Sequence, residues 1–278
     1  MATAAEIAFA EVSLRELRAS TALWQQFLEV QAPWRDAGVV RWFELLRPEG
    51  PHPALLIAAR RPAAPGLWLG TIVGIWQALP VDRFDDLLAE VPGHAPQGEL
   101  RPSTGVWHFI AATVRPEADG LHLGRKLVAA ALAWLDANAP EAAARTLSPA
   151  VGLPGLCREL GPGATLADAV LGLANARGQP ALEIVRLHLG AGATLEAILP
   201  ESRRDERRSG GVTLRFAYDR DPAQREAQRA RYAEWLVARA ADIAAGRAQS
   251  VGDAGLWRVA TMADPRLAPA LSPPARPA

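Results

Sequence analysis

The chain reads as a mixed α/β layer protein, and three observations carry that reading. Segments of period two and period 3.6 follow each other in the order β, αα, βββ, α, β, α, ββ. A strand, a glycine-containing loop and a strong helix succeed one another near the centre, over residues 107–138. Half of the 278 residues are hydrophobic, enough to bury a sizeable core.

Residues 7–12 predict a short strand. Leu14, Leu17, Leu23, Phe27 and Leu28 recur at helical spacing and predict one helix over about 14–31. A second helix is expected at 39–46, ending before Pro48. ALLIAA at 54–59 and LWLGTIVGIW at 67–76 flank an Arg/Pro/Ala/Gly turn and predict a hairpin. A short helix at 83–90 and a Pro- and Gly-rich loop at 91–105 lead into WHFIAATV, a central strand at 107–114. Residues 125–138 predict a helix with Leu127, Ala131, Trp134 and Leu135 on one stripe. A strand, AARTLS, then precedes helical pieces at 154–160 and 166–174. A strand at 193–199, a polar hairpin loop and the strand VTLRFAYD at 212–219 follow. Asp221 and Pro222 supply the N-cap and first-turn proline of a helix running to about Gly246. Its expected apolar face is Tyr232, Trp235, Leu236, Ala240 and Ile243. From about Ser250 the Pro/Ala-rich sequence predicts a flexible tail.

Composition narrows the function classes. Lys+Arg and Asp+Glu are balanced at 30 each, so no net field draws the protein to nucleic acid or an anionic membrane. Lys126 is the only lysine and Cys157 the only cysteine. A single cysteine excludes an internal disulfide and a cysteine-type zinc site. His52, His94, His108 and His122 share no metal-ligand spacing, and no metal is expected. No apolar run is long enough for a transmembrane helix, and no basic n-region precedes an apolar stretch at the N-terminus, so a cytoplasmic location is expected.

The central strand–loop–helix unit suggests the first chemistry. The first turn of a helix leaves several amides unpaired and carries positive partial charge. Gly120 and Gly124 in the preceding loop allow close backbone approach. Together these features form a phosphate cradle. An ordinary strand-to-helix turn is the alternative reading of the loop taken alone. Downstream, His188 is a side chain able to donate, accept or transfer a proton near neutrality. Arg203 can hold a carboxylate in bidentate fashion, and Thr146 offers a strand-end hydroxyl. Each also has a structural reading: a helix-end histidine, a solvated hairpin tip in SRRDERR, and a strand-end threonine.

Val114-Arg115-Pro116, then Asp119 to Gly124, then Arg125-Lys126-Leu127 resemble the coenzyme A signature of the GNAT superfamily, V-x-P followed by [QR]-x-x-G-x-[GA] and a helix. Asp119 replaces the usual Gln or Arg, and His122 the middle glycine. His188, Gly192, Ala193, Arg203, Asp205, Val212 and Tyr218 resemble a run from GNAT-like decarboxylase domains of polyketide synthase loading modules. The resemblance implies a GNAT fold: a mixed, mostly antiparallel central sheet flanked by helices, here with an extra C-terminal helix. It implies a GNAT-like acyl-CoA-binding domain at 1–220, with the helix at 221–249 packed on it and the tail at 250–278. Amides from Leu121, His122, Leu123, Gly124, Arg125 and Lys126 would hold the pyrophosphate, and Thr113 and Val114 would pair with the pantetheine arm. His188, Thr146 and Arg203 would be catalytic, with Trp34 or Trp42 lining the acyl group. The cosubstrate would be coenzyme A or an acyl-CoA such as acetyl-CoA. The leading expectation is acyl transfer to an amine or to a carrier-protein thiol. The alternatives are decarboxylation of a malonyl-type thioester and a non-catalytic acyl-CoA-binding relic. An acyl carrier protein and a second copy of the chain are the partners considered.

Overall fold

A computed structural model describes residues 7–33, 46–87, 98–118, 121–160, 166–175, 177–199, 209–245 and 255–257. Trp34, Trp42, Arg203 and nearly all of the helix expected at 39–46 lie outside the described residues. The chain forms two compact units, Met1–Val81 with Asp85–Thr146, and Asp82–Phe84 with Leu147–Ala278.

In the first unit β1 (Ala8–Glu11) leads to helices α1 (Leu14–Ala19) and α2 (Thr21–Val30). The single helix expected here is broken at Ser20, which leaves helical geometry at φ −108° and ψ 109°. Its Oγ accepts from the Leu23 amide at 3.2 Å, so a serine inside the periodic run acts as the cap of a new helix. The strands β2 (Ala54–Arg61), β3 (Ala64–Gln77) and β4 (Val106–Val114) follow. The ladders β1–β2, β2–β3 and β3–β4 are antiparallel. β4 then pairs in parallel with the start of β5 (Ala143–Pro149), from Val106↔Ala143 to Phe109↔Thr146. The crossover between them is helix α3 (Leu123–Asn138). It buries Leu123, Leu127, Val128, Ala131, Leu132 and Leu135, whereas Trp134 keeps its indole N–H at the surface, donating to Glu11 Oε2.

The second unit receives the end of β5 and continues with helix α4 (Leu153–Leu160), a π-helical turn (Asp168–Gly172) and helix α5 (Glu183–Gly190). Its strand order is β5, then β7 (Thr213–Tyr218), then β6 (Ala193–Leu199), the last two antiparallel. Helix α6 (Pro222–Ala244) packs against α5 and β6. Asp221 caps it as expected, accepting from the Ala223 amide at 2.8 Å.

The buried face of α6 differs from the apolar stripe read in the sequence. It consists of Arg225, Gln228, Tyr232 and Arg239, while Val237 and Ile243 are exposed. Arg225 Nη1 donates to the Asp219 and Arg220 carbonyls, and Arg239 donates to those of Leu171 and Gly172 at the end of the π-turn. Arg225 thus satisfies carbonyls of the turn between β7 and α6, and Arg239 those at the end of the π-turn, roles that hydrophobic periodicity does not reveal. Within the stretch expected as a flexible tail, Leu256 and Trp257 are buried. The Leu195 amide donates to the Leu256 carbonyl at 3.0 Å, and Gln228 Nε2 donates to the Gly255 carbonyl at 2.7 Å. Trp257 meets Trp235 edge-on at 5.6 Å.

Gly192 joins α5 to β6 at φ +89°, and a Cβ there would lie 2.3 Å from the Arg225 carbonyl oxygen of α6. Gly152 has a similar φ of +91°, but a Cβ would find its nearest neighbour at 4.0 Å. Both glycines adopt backbone that costs an L-residue about 1–2 kcal/mol. Gly192→Ala is therefore expected to cost clearly more than Gly152→Ala, because it adds a backbone clash. Urea unfolding of the two variants checks this, and equal losses would show that the clash relaxes freely.

Candidate active site

The loop between β4 and α3 forms the first candidate feature. β4 carries a register irregularity in its ladder to β3, between the pairs Thr71↔Thr113 and Val73↔Ile110. Its parallel ladder to β5 covers only Val106–Phe109, while the strand runs on to Val114. The strand end is held by a buried network: Gln31 Nε2 donates to Thr71 Oγ1 at 2.6 Å, and Thr113 Oγ1 donates to Gln31 Oε1 at 3.0 Å. Thr113 thus commits its hydroxyl hydrogen to Gln31. Arg115 is likewise engaged, with its amide donating to Leu69 and its guanidinium to Glu29 and Gln26. The Arg115 guanidinium also holds the Glu29 carboxyl below its ordinary pKa.

A 3₁₀ turn (Pro116–Ala118) leads to His122, the residue that caps α3. His122 adopts φ +53° and ψ 33°, and among the described residues it is the one non-glycine with positive φ. It occupies the left-handed conformation for which a glycine would be the usual choice. Its side chain is exposed and makes no capping hydrogen bond, which leaves the first-turn amides of α3 without a side-chain acceptor. Leu123 is buried beneath them, Leu121 and Gly124 are half-buried, and Arg125 and Lys126 are exposed cations in the same turn. The six residues assigned to the cradle by sequence therefore sit together at one helix start. Asp119 and Gly120 lie outside the described residues.

The second feature lies in the second unit. His188, in the last turn of α5, is buried, and burial pushes its pKa down to about 3. Its Nε2 lies 3.0 Å from Ser148 Oγ on β5, and its Nδ1 lies 2.7 Å from Tyr218 Oη on β7. The Phe216 ring packs on the imidazole at 4.6 Å between centroids. Phe216 and Tyr218 share one face of β7 by strand alternation. Burial holds the Tyr218 phenol well above its ordinary pKa, so it is neutral and keeps its proton. The result is an unbroken hydroxyl–imidazole–phenol array, buried throughout.

Thr146 belongs to the first unit, and its buried Oγ1 makes no hydrogen bond among the described residues. The hydroxyl that meets His188 is that of Ser148, one strand period further on. Sequence reasoning did not single out Ser148, and it gave Tyr218 no role beyond its place in the matched run. The available signal was the i, i+2 alternation of Thr146 and Ser148 along one short strand. Among the described residues no group of three or more His, Cys, Asp or Glu could hold a metal ion. None of the described helices is long and apolar enough to cross a membrane.

No protein-family profile and no curated protein sequence matches the chain. Solved structures do. The chain superposes on malonyl-CoA decarboxylase from Cupriavidus metallidurans with a TM-score of 0.58 and 16% identity, covering 81% of this chain and 63% of that one. For malonyl-CoA decarboxylase from Rhodopseudomonas palustris the TM-score is 0.59 and the identity 15%, covering 84% and 60%. The chain thus spans less than two thirds of the length of either enzyme. The GphF GNAT-like decarboxylase, solved in complex with isobutyryl-CoA, matches with a TM-score of 0.52 and 16% identity, covering 77% of this chain and 100% of that one. Helix-flanked and mostly antiparallel, with a parallel β4–β5 pair ahead of which lies the helix-capping loop, this chain has the GNAT-like fold.

Proposed function

We propose that the protein binds acyl-CoA and decarboxylates a malonyl-type thioester. The observation that carries this reading is the buried Ser148–His188–Tyr218 array. In the reaction the bond from C2 to the carboxylate breaks and CO2 leaves. The electron pair moves into an enolate whose negative charge rests on the thioester oxygen, and C2 then takes a proton to give the acetyl thioester. The barrier lies in the oxyanion, and preorganised donors in a water-excluded site lower it. A histidine whose pKa is held near 3 suits that role. It is too weak a base to deprotonate an amine acceptor, which weighs against acyl transfer to an amine. The likeness to three decarboxylase structures supports the same choice.

In this reading residues 1–220 are the acyl-CoA-binding part, and the helix at 221–249 is an addition to it. The first-turn amides of α3 with Arg125 and Lys126 receive the pyrophosphate, and the backbone of Thr113 and Val114 receives the pantetheine arm. Arg203 remains the proposed holder of the malonyl carboxylate.

Incubation with malonyl-CoA, followed by mass spectrometry, tests the activity. Release of acetyl-CoA and CO2 is expected. Consumption of acetyl-CoA only in the presence of an amine or a carrier-protein thiol would favour transfer. Binding without turnover of any acyl-CoA would favour a non-catalytic role. The cradle has a separate test, because Lys126 is exposed and is the only lysine. An amine-acylating reagent should modify it in the free protein, and saturating coenzyme A should slow that modification by about tenfold or more. Undiminished labelling would remove the cradle from this loop.

A further inference from the structure

The hydrogens of the array decide what it can do, and two assignments satisfy both contacts. In one, Ser148 O–H donates to His188 Nε2 and Nδ1–H donates to Tyr218 Oη, the arrangement of an activated serine nucleophile. In the other, Tyr218 O–H donates to Nδ1, Nε2–H donates to Ser148 Oγ, and Ser148 O–H is left to donate to a substrate.

Acid and base strengths separate them. A phenol is a far stronger hydrogen-bond acid than an alcohol, and an unprotonated imidazole nitrogen is the strongest acceptor of the three groups. The phenol–imidazole contact is accordingly the shorter, at 2.7 Å against 3.0 Å. An alcohol oxygen is in turn a better acceptor than a phenolic oxygen, whose lone pair is shared with its ring. Both contacts therefore favour the second assignment. The first would also strand the phenolic hydrogen of Tyr218, which is 4% exposed and has His188 as its hydrogen-bond partner among the described residues. A flipped imidazole would set ring carbons against Ser148 Oγ and Tyr218 Oη and lose both hydrogen bonds, so the choice is between tautomers and not between orientations.

We propose that Tyr218 is a positioning residue that locks His188 as its Nε2–H tautomer, so that Ser148 acts through its O–H as a donor to the thioester oxygen and not as a nucleophile. The donor's target rests on the decarboxylase reading given above; the tautomer does not. During decarboxylation the pair leaving the C2–carboxylate bond forms the enolate, Ser148 O–H hydrogen-bonds its oxygen, and a solvent water supplies the proton to C2, the hydroxide left behind combining with the released CO2 as bicarbonate. No bond forms to Ser148, and no acyl-enzyme accumulates.

The tautomer is read directly from long-range proton–nitrogen correlation spectra of the full chain with ¹⁵N-labelled histidine. His188 is assigned by the pattern that His188→Gln removes. A neutral ring with Nε2–H is expected for His188, and an Nδ1–H ring overturns the proposal. Tyr218→Phe withdraws the donor to Nδ1, and the spectrum should move to Nδ1–H or to a mixture of both tautomers. An unchanged Nε2–H pattern in that variant would show that Tyr218 does not set the tautomer. In kinetics with malonyl-CoA, Tyr218→Phe should lower kcat about tenfold and leave KM unchanged. A fluorophosphonate probe should leave Ser148 unmodified in the wild-type protein, and covalent labelling of Ser148 overturns the donor role without recourse to any variant. Should malonyl-CoA prove not to be turned over, the functional reading fails, whereas the spectrum and the probe still decide the proposal.

Discussion

His188→Ala is expected to lower malonyl-CoA turnover by about 10²–10³-fold, the usual cost of disabling a preorganised donor to a developing oxyanion, here the Ser148 hydroxyl that His188 holds. Ser148→Ala should fall in the same range. The double variant should be little worse than either single one, since the two side chains form one hydrogen-bonded chain and act as a unit. Coenzyme A affinity should survive in all three, because the proposed cradle at the start of α3 keeps every residue. Steady-state kinetics with malonyl-CoA and calorimetry with coenzyme A measure the two quantities separately. Wild-type-like turnover by His188→Ala would make the array a structural feature of the second unit and move the chemistry elsewhere.

A second large effect concerns acid. His108, on β4, is fully buried, and neither ring nitrogen has a hydrogen-bond partner among the described residues. Desolvation, with the nearby charge of Arg145, pushes its pKa down to about 3, the level that burial alone gives His188. Both folded-state values lie below the ordinary histidine value of 6.5. Above that value the two rings are neutral in the folded and the unfolded chain, and their contribution to stability is full. As pH falls below it, the unfolded chain takes up protons that the folded chain refuses until near pH 3. Each histidine then removes about 1.4 kcal/mol of stability per pH unit. Urea unfolding at pH 7.5, 6 and 5 should show this steep loss. His108→Leu should remove one histidine's share of the slope and, by replacing two unsatisfied nitrogens with an apolar group, raise stability at pH 5. A flat stability between pH 7.5 and 5 would mean that buried water or a local opening solvates these rings.

The parts of the molecule legible in the sequence are those fixed by local pattern. The central unit of β4, loop and α3 needs only alternation, a turn and a 3.6-residue period, and the structure places it within two residues of the expectation. His188 was legible because it sits in a distinctive run. Its contacts were not: Ser148 is 40 residues away, and Tyr218, although a member of the same run, is 30 residues away with nothing in the pattern to bring it to the imidazole. Which hydroxyl of β5 meets the imidazole depends on how that strand is faced, and in a strand of seven residues Thr146 and Ser148 look alike. The Gln31–Thr71–Thr113 network is hidden for the same reason, since its bonds span 40 and 82 residues. The inward face of α6 was misread because arginine counts as polar in any periodicity. Arg225 and Arg239 are nonetheless buried, for the carbonyls they reach.

The docking of Gly255–Trp257 on β6 bears on how the chain folds as it is made. Leu195 bridges Trp257 in parallel, and Gln228 holds both Thr194 and the Gly255 carbonyl. The edge of β6 and the indole of Trp235 are thus completed by residues synthesised long after the strand itself. A nascent chain halted before Trp257 would carry an unfinished strand edge beside an uncovered aromatic surface, the kind of surface that chaperones engage and neighbouring polysomal chains pair with. Native closure of the second unit is therefore a late event of synthesis, set by the arrival of three residues in what reads, by composition, as dispensable tail.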